Sequence, residues 1–459
     1  MRVLILGAGI VGYTLAEQLS KEKHDIYVIE KDPKLIKLMN DNLDLFASCG
    51  SGTSQNTLEA IGVQDMDLMI AVTNSDEVNI LSCLMASQYG VKKLVVRVKN
   101  PEYVAEHAIL KKENTGIDLF INPVSIVVKM IEQLIEVPGC TDVAYVGDGE
   151  MQIRGFEINE DSNLLGQTIQ SLHEMLSADA FSILAISNGN KIRLPSKETK
   201  LAPGDRIIVL ISSHTLNMFM PMLMPKHQMA NNKIILFGAS ITSIELAKRL
   251  EKTYRQVILL EMDAEKCKNV AQVLNKTLII QGSALDKGTL KEIVVETADI
   301  FACLSEKDED NFMAAMMAKQ YGAKRTVVLT EQPTYLEILD KSDIDILINP
   351  RLITVGKILQ FLRRGPILSA AKLMEGEAEV LEYSVEDNSP LVGKTLKVLK
   401  NKKMIPKGAT IAAINNGEVV IVPDDDTLID AGHRIVLFVL PSALEKVQDL
   451  MSGKKWKFS

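Results

Sequence analysis

The stretch that decides the fold is RVLILGAGIVGYTLAEQLSKEKHDIYVIEKD, which runs from Arg2 to Asp32. It opens with a short apolar strand, passes through the glycine pattern GAGIVG into a helical pattern, and ends with a second apolar strand that closes on an acidic residue. A GxGxxG pattern between a strand and a helix is typical of a Rossmann unit that binds a dinucleotide. The stretch therefore predicts the start of a parallel α/β sheet.

A second copy of this stretch follows in the other half of the chain and reads KIILFGASITSIELAKRLEKTYRQVILLEMD. Further matches follow in the same order in both halves. The matching positions include Gly7 with Gly238, Glu30 with Glu261, SDEVN (75–79) with KDEDN (307–311), and LLGQTI (164–169) with LVGKTL (391–396). An ordered series of matches over both halves indicates a tandem duplication.

Each half of the chain has two parts with different patterns. The first part alternates short apolar strands with amphipathic helices, which predicts a parallel sheet covered on both faces. The second part has short strands separated by turn signals such as Asn188-Gly189 and Pro203-Gly204, which predicts a small β-rich α+β domain. We therefore predict an α/β protein of two Rossmann-like, doubly wound parallel-sheet domains, each followed by a small β-rich domain. The predicted boundaries are 1–138, 139–226, 231–366 and 367–454.

Two segments lie at the junctions between these domains. VSIVVKMIEQLIEVPG (Val124–Gly139) places apolar residues at helical spacing before a Pro-Gly break, which predicts a helix. That helix either is an ordinary core helix or exposes an apolar face to a partner. MFMPMLMPKHQMANN (Met218–Asn232) contains two prolines and lies between the halves, which predicts a linker.

Composition excludes several classes of protein. Lys and Arg number 51 against 59 Asp and Glu, a formal net charge of −8, which argues against a nucleic-acid partner. No run approaches the roughly 20 apolar residues of a membrane span. The five cysteines form no CxxC pair, the six histidines are scattered, and no P-loop or GxSxG occurs, so we predict no metal site and no catalytic residues. These features predict a soluble, cytoplasmic protein.

The first copy carries a complete glycine motif before its first helix. The residues are Gly7, Ala8, Gly9, Ile10, Val11 and Gly12. In this motif the first glycine allows a tight turn, the second lets a pyrophosphate approach the backbone, and the third lets the helix pack closely on the strand. Glu30 ends the second strand, where a carboxylate accepts hydrogen bonds from ribose hydroxyls and repels a 2′-phosphate. The pattern therefore favours NAD(H) or ATP/ADP over NADP.

Three further residues are predicted at the carboxyl edge of the same sheet. Thr73 and Asn74 follow the apolar strand near Leu68–Val72, at the edge where ligands bind in such folds. Arg97 lies within the apolar strand that comes next, and a cation in that position requires a partner. Either a nucleotide phosphate or a carboxylate such as Glu77 is its predicted partner.

The second copy of the site is degraded. Its loop retains the first glycine alone, and the aligned residues are Gly238, Ala239, Ser240, Ile241, Thr242 and Ser243. Leu329 replaces Arg97, although Glu261 keeps the acidic position. We therefore predict weak or altered nucleotide binding at the second copy.

GAGIVG, Glu30, AVTNSDEVN (71–79) and the duplicated four-part layout resemble the TrkA family, which consists of tandem RCK (regulator of K⁺ conductance) regulatory subunits of Trk potassium uptake systems. The resemblance covers essentially the whole chain. It implies a non-enzymatic homotetramer that forms a ring on the cytoplasmic face of the plasma membrane, against a TrkH-type potassium channel subunit. It also implies that NAD⁺/NADH, ATP or ADP in the Rossmann clefts bias the shape of the ring and gate potassium uptake.

Transferred by position, the nucleotide contacts of the family fall on two sets of residues. They are Gly7 to Val11, Glu30, Thr73, Asn74 and Arg97 in the first copy, and Gly238 to Thr242 and Glu261 in the second. Family members often have Gly-Asp after the third strand, whereas this chain reads CGSG at 49–52. Two other hypotheses stay open, namely an NAD-dependent oxidoreductase with a duplicated Rossmann core and a regulator of some other transporter.

Overall fold

The computed structural model describes residues 1–22, 24–105, 108–137, 139–146, 151–176, 181–188, 191–223, 233–253, 256–335, 343–362, 367–373 and 378–451. Over these ranges the chain forms two six-stranded sheets, two five-stranded sheets and one two-stranded sheet. Both six-stranded sheets are parallel and both five-stranded sheets are antiparallel. The predicted fold class, with Rossmann-like and β-rich parts in each half, is confirmed.

The first Rossmann domain builds its sheet in the order β3-β2-β1-β4-β5-β6. Its strands are β1 (Arg2–Leu6), β2 (Asp25–Glu30), β3 (Phe46–Cys49), β4 (Leu68–Ala71), β5 (Lys93–Arg97) and β6 (Leu119–Ile121). Its helices are α1 (Ile10–Lys21), α2 (Pro33–Asn42), α3 (Gln55–Ala60), α4 (Asp76–Gln88), α5 (Lys112–Thr115) and α6 (Pro123–Glu136). The strand order reverses between β1 and β4, so the loops after these two strands flank the crevice in which such sheets bind ligands.

The β-rich domain that follows orders its strands β10-β9-β11-β8-β7. Its elements are β7 (Cys140–Val146), β8 (Met151–Glu157), α7 (Ile169–Leu176), β9 (Phe181–Asn188), β10 (Lys191–Arg193), β11 (Arg206–Ser212) and α8 (Ser213–Leu223). One face of the sheet packs on α7 and α8 through a core that includes Phe156, Phe181 and Phe219.

The second Rossmann domain repeats the order of the first, as β14-β13-β12-β15-β16-β17. Its strands are β12 (Lys233–Phe237), β13 (Gln256–Glu261), β14 (Leu278–Gln281), β15 (Ile300–Cys303), β16 (Thr326–Leu329) and β17 (Ile346–Ile348). Its helices are α9 (Ile241–Leu250), α10 (Ala264–Ala271), α11 (Lys287–Glu292), α12 (Asp308–Gln320) and α13 (Pro350–Leu362).

The last domain has a five-stranded sheet in the order β18-β19-β24-β21-β22 and a small β20-β23 pair. Its elements are β18 (Ile367–Leu373), β19 (Ala378–Ser384), β20 (Lys394–Thr395), α14 (Leu396–Asn401), β21 (Ala409–Asn415), β22 (Val420–Ile421), β23 (Leu428–Ile429), β24 (Arg434–Val439) and α15 (Leu444–Met451).

The chain groups its domains by type rather than by sequence order. Residues 1–132 and 231–359 form one compact unit, which contains both parallel sheets. Residues 133–230 and 360–459 form the other, in which the two antiparallel sheets share an apolar core that includes Ile153, Leu210 and Phe438. The domain boundaries given above stay a prediction, because this grouping follows sheet type.

The structure agrees with the prediction for one junction segment and corrects the prediction for the other. The predicted helix at Val124–Gly139 forms as α6, and its apolar residues Val127, Val128 and Ile131 are buried, as in an ordinary core helix. The prediction of a linker at Met218–Asn232 is wrong for its first part, because 218–223 belong to α8 and bury Phe219. Residues 224–232 lie outside the described residues. Across the described chain, no helix combines the length and apolar character that spanning a bilayer requires.

Candidate nucleotide site

The glycine loop of the first Rossmann domain makes the tight turn that its sequence predicts. Gly7 follows β1 with φ +102°, a conformation that residues with a Cβ rarely adopt, and its N–H donates to the carbonyl of Ile29 at 2.9 Å. A Cβ atom on Gly12 would overlap the carbonyl oxygen of Gly7. These two glycines therefore set the path of the loop and the close packing of α1 on β1.

Gly9 is different, because nothing in the fold requires a glycine there. It precedes α1 in an extended conformation with φ −65°, and a Cβ built on it meets no atom within 4 Å. The first N–H groups of a helix have no partner within the helix. In α1 these groups belong to the turn that begins with Ile10 and Val11. The space in front of α1 is therefore open to a phosphate at the positive end of the helix dipole.

Glu30 holds this loop in place through its carboxylate. One oxygen accepts from the N–H of Ala8 at 2.7 Å, and the other accepts from Lys31 at 2.6 Å and Asp32 at 3.0 Å. A carboxylate has about four acceptor positions, so capacity remains for a ribose hydroxyl. Sequence reasoning missed this structural role.

The second copy uses its acidic residue in the same way. Glu261, at the end of β13, accepts from the N–H of Ala239 at 2.7 Å and of Asp263 at 2.9 Å. The acidic position therefore has a structural reason in both copies, and its presence alone does not identify a ligand site.

Asn79 is a positioning residue that the sequence analysis did not single out. It is fully buried on α4, and its Oδ1 accepts from the N–H of Thr73 at 2.9 Å and from the Thr73 hydroxyl at 2.6 Å. Its Nδ2 donates to the carbonyl oxygens of Thr73 at 3.1 Å and Arg97 at 2.9 Å. Asn79 thus joins the ends of β4 and β5. Asn74 lies exposed in the loop between β4 and α4.

The signal for this role was present in the repeat. The matched pentapeptides SDEVN and KDEDN both end in asparagine, and Asn311 bonds to the N–H and carbonyl of Ser305 at 2.9 Å each and to the carbonyl of Leu329 at 2.9 Å.

Arg97 is the last residue of β5 and is 6% exposed. Among the described residues, none forms a hydrogen bond with its Nε atom. A buried donor without an acceptor is destabilising by about 1–3 kcal/mol. Burial lowers the pKa of Arg97, and the nearby charges of Glu331, Arg351 and Asp76 also act on it.

Glu77, the carboxylate suggested above as a partner of Arg97, forms its side-chain hydrogen bond elsewhere. Glu77 instead accepts from the Ser75 hydroxyl at 2.7 Å. The carboxylate of Asp76 accepts hydrogen bonds from the backbone N–H groups of Lys99 and Asn100 at 2.8–2.9 Å. Asp76 therefore holds the loop that follows β5. A phosphate oxygen is the kind of acceptor that suits the buried guanidinium.

In the second copy, the loop itself supplies a hydrogen-bond acceptor to the first N–H groups of its helix. Gly238 keeps the turn with φ +91°, but the hydroxyl of Ser240 accepts from the N–H of Ser243 at 3.2 Å and so caps α9. Ser243 and Thr242 are buried against the rest of the domain, and Ile241 is 53% exposed. A donor that would face a phosphate is therefore already bonded to the protein.

The first crevice thus fits a nucleotide better than the second does. Three features lie along one edge of the first sheet, at its topological switch point. They are the open space at Gly9, the acceptor capacity of Glu30 and the unsatisfied donor of Arg97. Among the described residues there is no group of three or more His, Cys, Asp or Glu that could hold a metal ion. The fold and site define a protein of duplicated Rossmann and β-rich domains, with a crevice in its first half whose geometry suits a nucleotide.

Family comparison makes this class specific. The TrkA-N domain model matches residues 3–123 and 234–350, and the TrkA-C domain model matches residues 153–224 and 380–452. The chain therefore belongs to the TrkA family, as its sequence predicted.

Curated relatives match over nearly the whole length. The Trk system potassium uptake protein TrkA of Halomonas elongata is 31% identical over 96% of this chain and 96% of its own. The TrkA homolog of Archaeoglobus fulgidus is 32% identical over 98% of this chain and 100% of its own. Among solved structures, the GsuK channel bound to NAD has a TM-score of 0.62 and 17% identity over 99% of this chain and 79% of that one, which supports the fold.

Proposed function

We propose that this chain is the cytoplasmic, nucleotide-binding regulatory subunit of a Trk-type potassium uptake system. It acts as a homotetrameric ring on the inner face of the plasma membrane, and the ring gates a TrkH-type membrane subunit. Family membership and the names of the full-length relatives support a role in potassium uptake. These relatives are potassium uptake proteins and not enzymes, so we assign no catalytic residue and set the oxidoreductase hypothesis aside.

The observation that carries the nucleotide role is a buried Arg97 and an open glycine loop at the same edge of the first sheet. The fold leaves the Nε donor of Arg97 without a partner among the described residues and leaves the space at Gly9 empty of protein atoms. Both features gain a physical reason when a phosphate occupies the crevice, because it accepts from the guanidinium and from the start of α1. NAD(H), ATP and ADP are the proposed ligands.

Asymmetry between the two Rossmann domains supports one strong site per chain. Ser240 caps α9 in the position of the open Gly9, and Leu329 replaces Arg97. A ring of four chains would then bind four nucleotides at strong sites. A ligand shifts the ring between two states by the difference in its affinity for them.

Assembly of the ring is supported by apolar side chains on equivalent helices of the two Rossmann domains. Leu81 on α4 is 48% exposed, and Met313 and Met316 on α12 are 52% and 48% exposed. Leu81 and Met313 occupy matching positions of the two copies, and exposed apolar side chains at such positions fit a contact between subunits. We expect Met313→Glu to shift the chain towards smaller species in light scattering, while the exposed charge variant Lys291→Glu on α11 leaves its mass unchanged.

Two experiments test the proposed function directly. Calorimetry on the full chain with NAD⁺, NADH, ATP and ADP is expected to give about one strong site per chain, and two equal sites would contradict the asymmetry. Growth at low potassium is the second test. The chain should restore growth in a strain that lacks its own regulatory subunit only when a TrkH-type gene is present. Restoration without that gene, or none with it, would contradict the potassium role.

A further inference from the structure

In the second Rossmann domain, one carboxylate holds the turn that leads into the edge strand β14. Glu251 directly follows α9, and one of its oxygens accepts hydrogen bonds from three successive backbone N–H groups at 2.8–2.9 Å, those of Asn275, Lys276 and Thr277. The same oxygen accepts from the Thr277 hydroxyl at 2.8 Å, and Glu251 is only 8% exposed. Successive N–H groups of this kind form a concave site that suits an anion.

The first Rossmann domain has the matching turn but not the carboxylate. Ser20, near the end of α1, occupies the position of Glu251, and the two residues directly before the edge strand β3 are Asp44 and Leu45. Within the described part of the chain, no group accepts a hydrogen bond from the backbone N–H of Asp44 or of Leu45. Two backbone donors that serve the protein itself in the second copy are therefore free in the first.

The residues that carry these free donors line a cavity at the amino edge of the first sheet. Its volume is about 490 Å³, which lies within the range of small-molecule sites. The lining includes Ser20, Asp25, Tyr27, Asp44, Leu45 and Phe46. Because Ser20 and both donor residues line the same cavity, the carboxylate of a ligand can take the place that the Glu251 side chain has in the second copy.

The other lining groups show what else the ligand must carry. Asp25 and Asp44 are both exposed carboxylates, so they repel a simple anion and attract a ligand that also has an ammonium group. Tyr27 and Phe46 form an aromatic wall, with ring centroids 6.1 Å apart, and Phe46 is 57% exposed. Aromatic rings pack on apolar groups and also attract a nearby cation. The cavity therefore suits a small molecule that combines a carboxylate, an ammonium group and an apolar body.

We propose that this cavity binds a free α-amino acid with an apolar side chain. The carboxylate of the amino acid accepts from the N–H groups of Asp44 and Leu45, and its ammonium group pairs with the side chains of Asp25 and Asp44. A bound amino acid holds the turn before β3 as Glu251 holds the turn before β14. Ser20 lies about 15 Å along α1 from the glycine loop, so this site is separate from the proposed nucleotide site and does not depend on it.

Calorimetry on the full chain with L-leucine, isocaproate and isoamylamine tests the proposal. L-Leucine is expected to bind at least about 10-fold more tightly than either analogue, because isocaproate lacks the ammonium group and isoamylamine lacks the carboxylate. Ser20→Glu is expected to weaken L-leucine binding by about 10-fold or more, since it supplies the internal carboxylate that the second copy already has. The same variant should raise the midpoint of urea unfolding, because the free N–H groups gain an acceptor.

Gln18→Glu is the matched control, because it adds the same charge to α1 at a residue outside the lining of the cavity. We expect this variant to bind L-leucine as the unmodified chain does.

Asp44→Asn tests the role of the cavity carboxylates separately from that of the backbone donors. It should weaken L-leucine binding by about threefold or more and tighten isocaproate binding, since the lost charge attracts an ammonium group and repels a carboxylate. Three results would overturn the proposal. They are no L-leucine binding at about 10 mM, unchanged L-leucine affinity in Ser20→Glu, and a shift of both ligands in the same direction in Asp44→Asn. ATP affinity should stay unchanged in all three variants, so failure here leaves the proposed nucleotide function untouched.

Discussion

Replacement of Gly9 by serine separates the requirements of the fold from those of the ligand. The backbone at Gly9 has φ −65° and ψ −175°, which any residue adopts, and a Cβ there has no neighbour within 4 Å. The second copy already has Ser240 at this position, where its hydroxyl caps α9. Serine and glycine differ by only a few tenths of a kcal/mol as N-cap residues, so the free energy of unfolding should stay level or rise slightly.

Nucleotide affinity should change in the opposite direction. The serine side chain would occupy the space through which the phosphates approach, and its hydroxyl would accept an N–H of α1 that we expect the ligand to use. Loss of one or two charge-assisted hydrogen bonds is worth about 1.5–3 kcal/mol each, so affinity should fall by about 10- to 100-fold or more. Calorimetry with ATP and NAD⁺, beside urea unfolding of the same samples, measures both quantities.

Two results would refute this reasoning. Unchanged affinity in Gly9→Ser would mean that no ligand approaches the loop at this position. A marked loss of stability would mean that the open space at Gly9 has been misjudged. Ser240→Gly is the matched reverse change, and it should create little binding because Ser243 and Leu329 remain.

Three further predictions concern residues that maintain the fold. Val294 adopts φ +49°, which is unfavourable for a β-branched residue. Val294→Gly should therefore raise the free energy of unfolding by about 1 kcal/mol in urea titrations. Gly62→Val, at the matching position of the first copy, should lower the free energy of unfolding by about 1–2 kcal/mol. Asn79→Ala should lower it by about 2–3 kcal/mol and weaken ATP binding as well, because the ends of β4 and β5 lose their shared partner; intact ATP affinity would contradict that role. Burial raises the pKa of Glu251, but hydrogen bonds to its carboxylate outweigh this and leave the pKa below its ordinary value. Its contribution to stability should therefore be present at neutral pH and be lost below about pH 4, and Glu251→Gln should remove that part of the pH dependence.

Sequence patterns predicted the sheets and loops that depend on local chemistry. The apolar runs, the glycine turn at Gly7 and the acidic residue at Glu30 lie where strand and helix periodicity placed them. Periodicity alone did not predict the short edge strands β3 and β6, because four or three residues give no clear period. The end of helix α8 was taken for part of a linker because the segment contains two prolines, and Pro221 usually breaks a helix, whereas the buried Phe219 anchors this turn to the sheet.

What the sequence could not predict depends on contacts between distant parts of the chain. The two partners predicted for Arg97 were a nucleotide phosphate and a carboxylate such as Glu77, twenty positions away, but the charges that act on it include Glu331 and Arg351 from the other copy. Neither periodicity nor motif spacing carries information on how two repeats pair. The two antiparallel sheets, for example, pair through a shared apolar core that only the folded chain reveals.

Comparison of the two copies also separates two kinds of residue within one molecule. Asn79 and Asn311 share three equivalent bonds to matching loops, so the fold requires this residue whether or not a ligand binds. Gly9 and Arg97 have no such reason within the fold, and both are replaced in the second copy. A residue that is dispensable to the fold in one copy and altered in the other is best explained by a ligand that only the first copy must bind. On this argument the first Rossmann domain carries the proposed nucleotide site, and the second has kept the framework of the loop without the ligand positions.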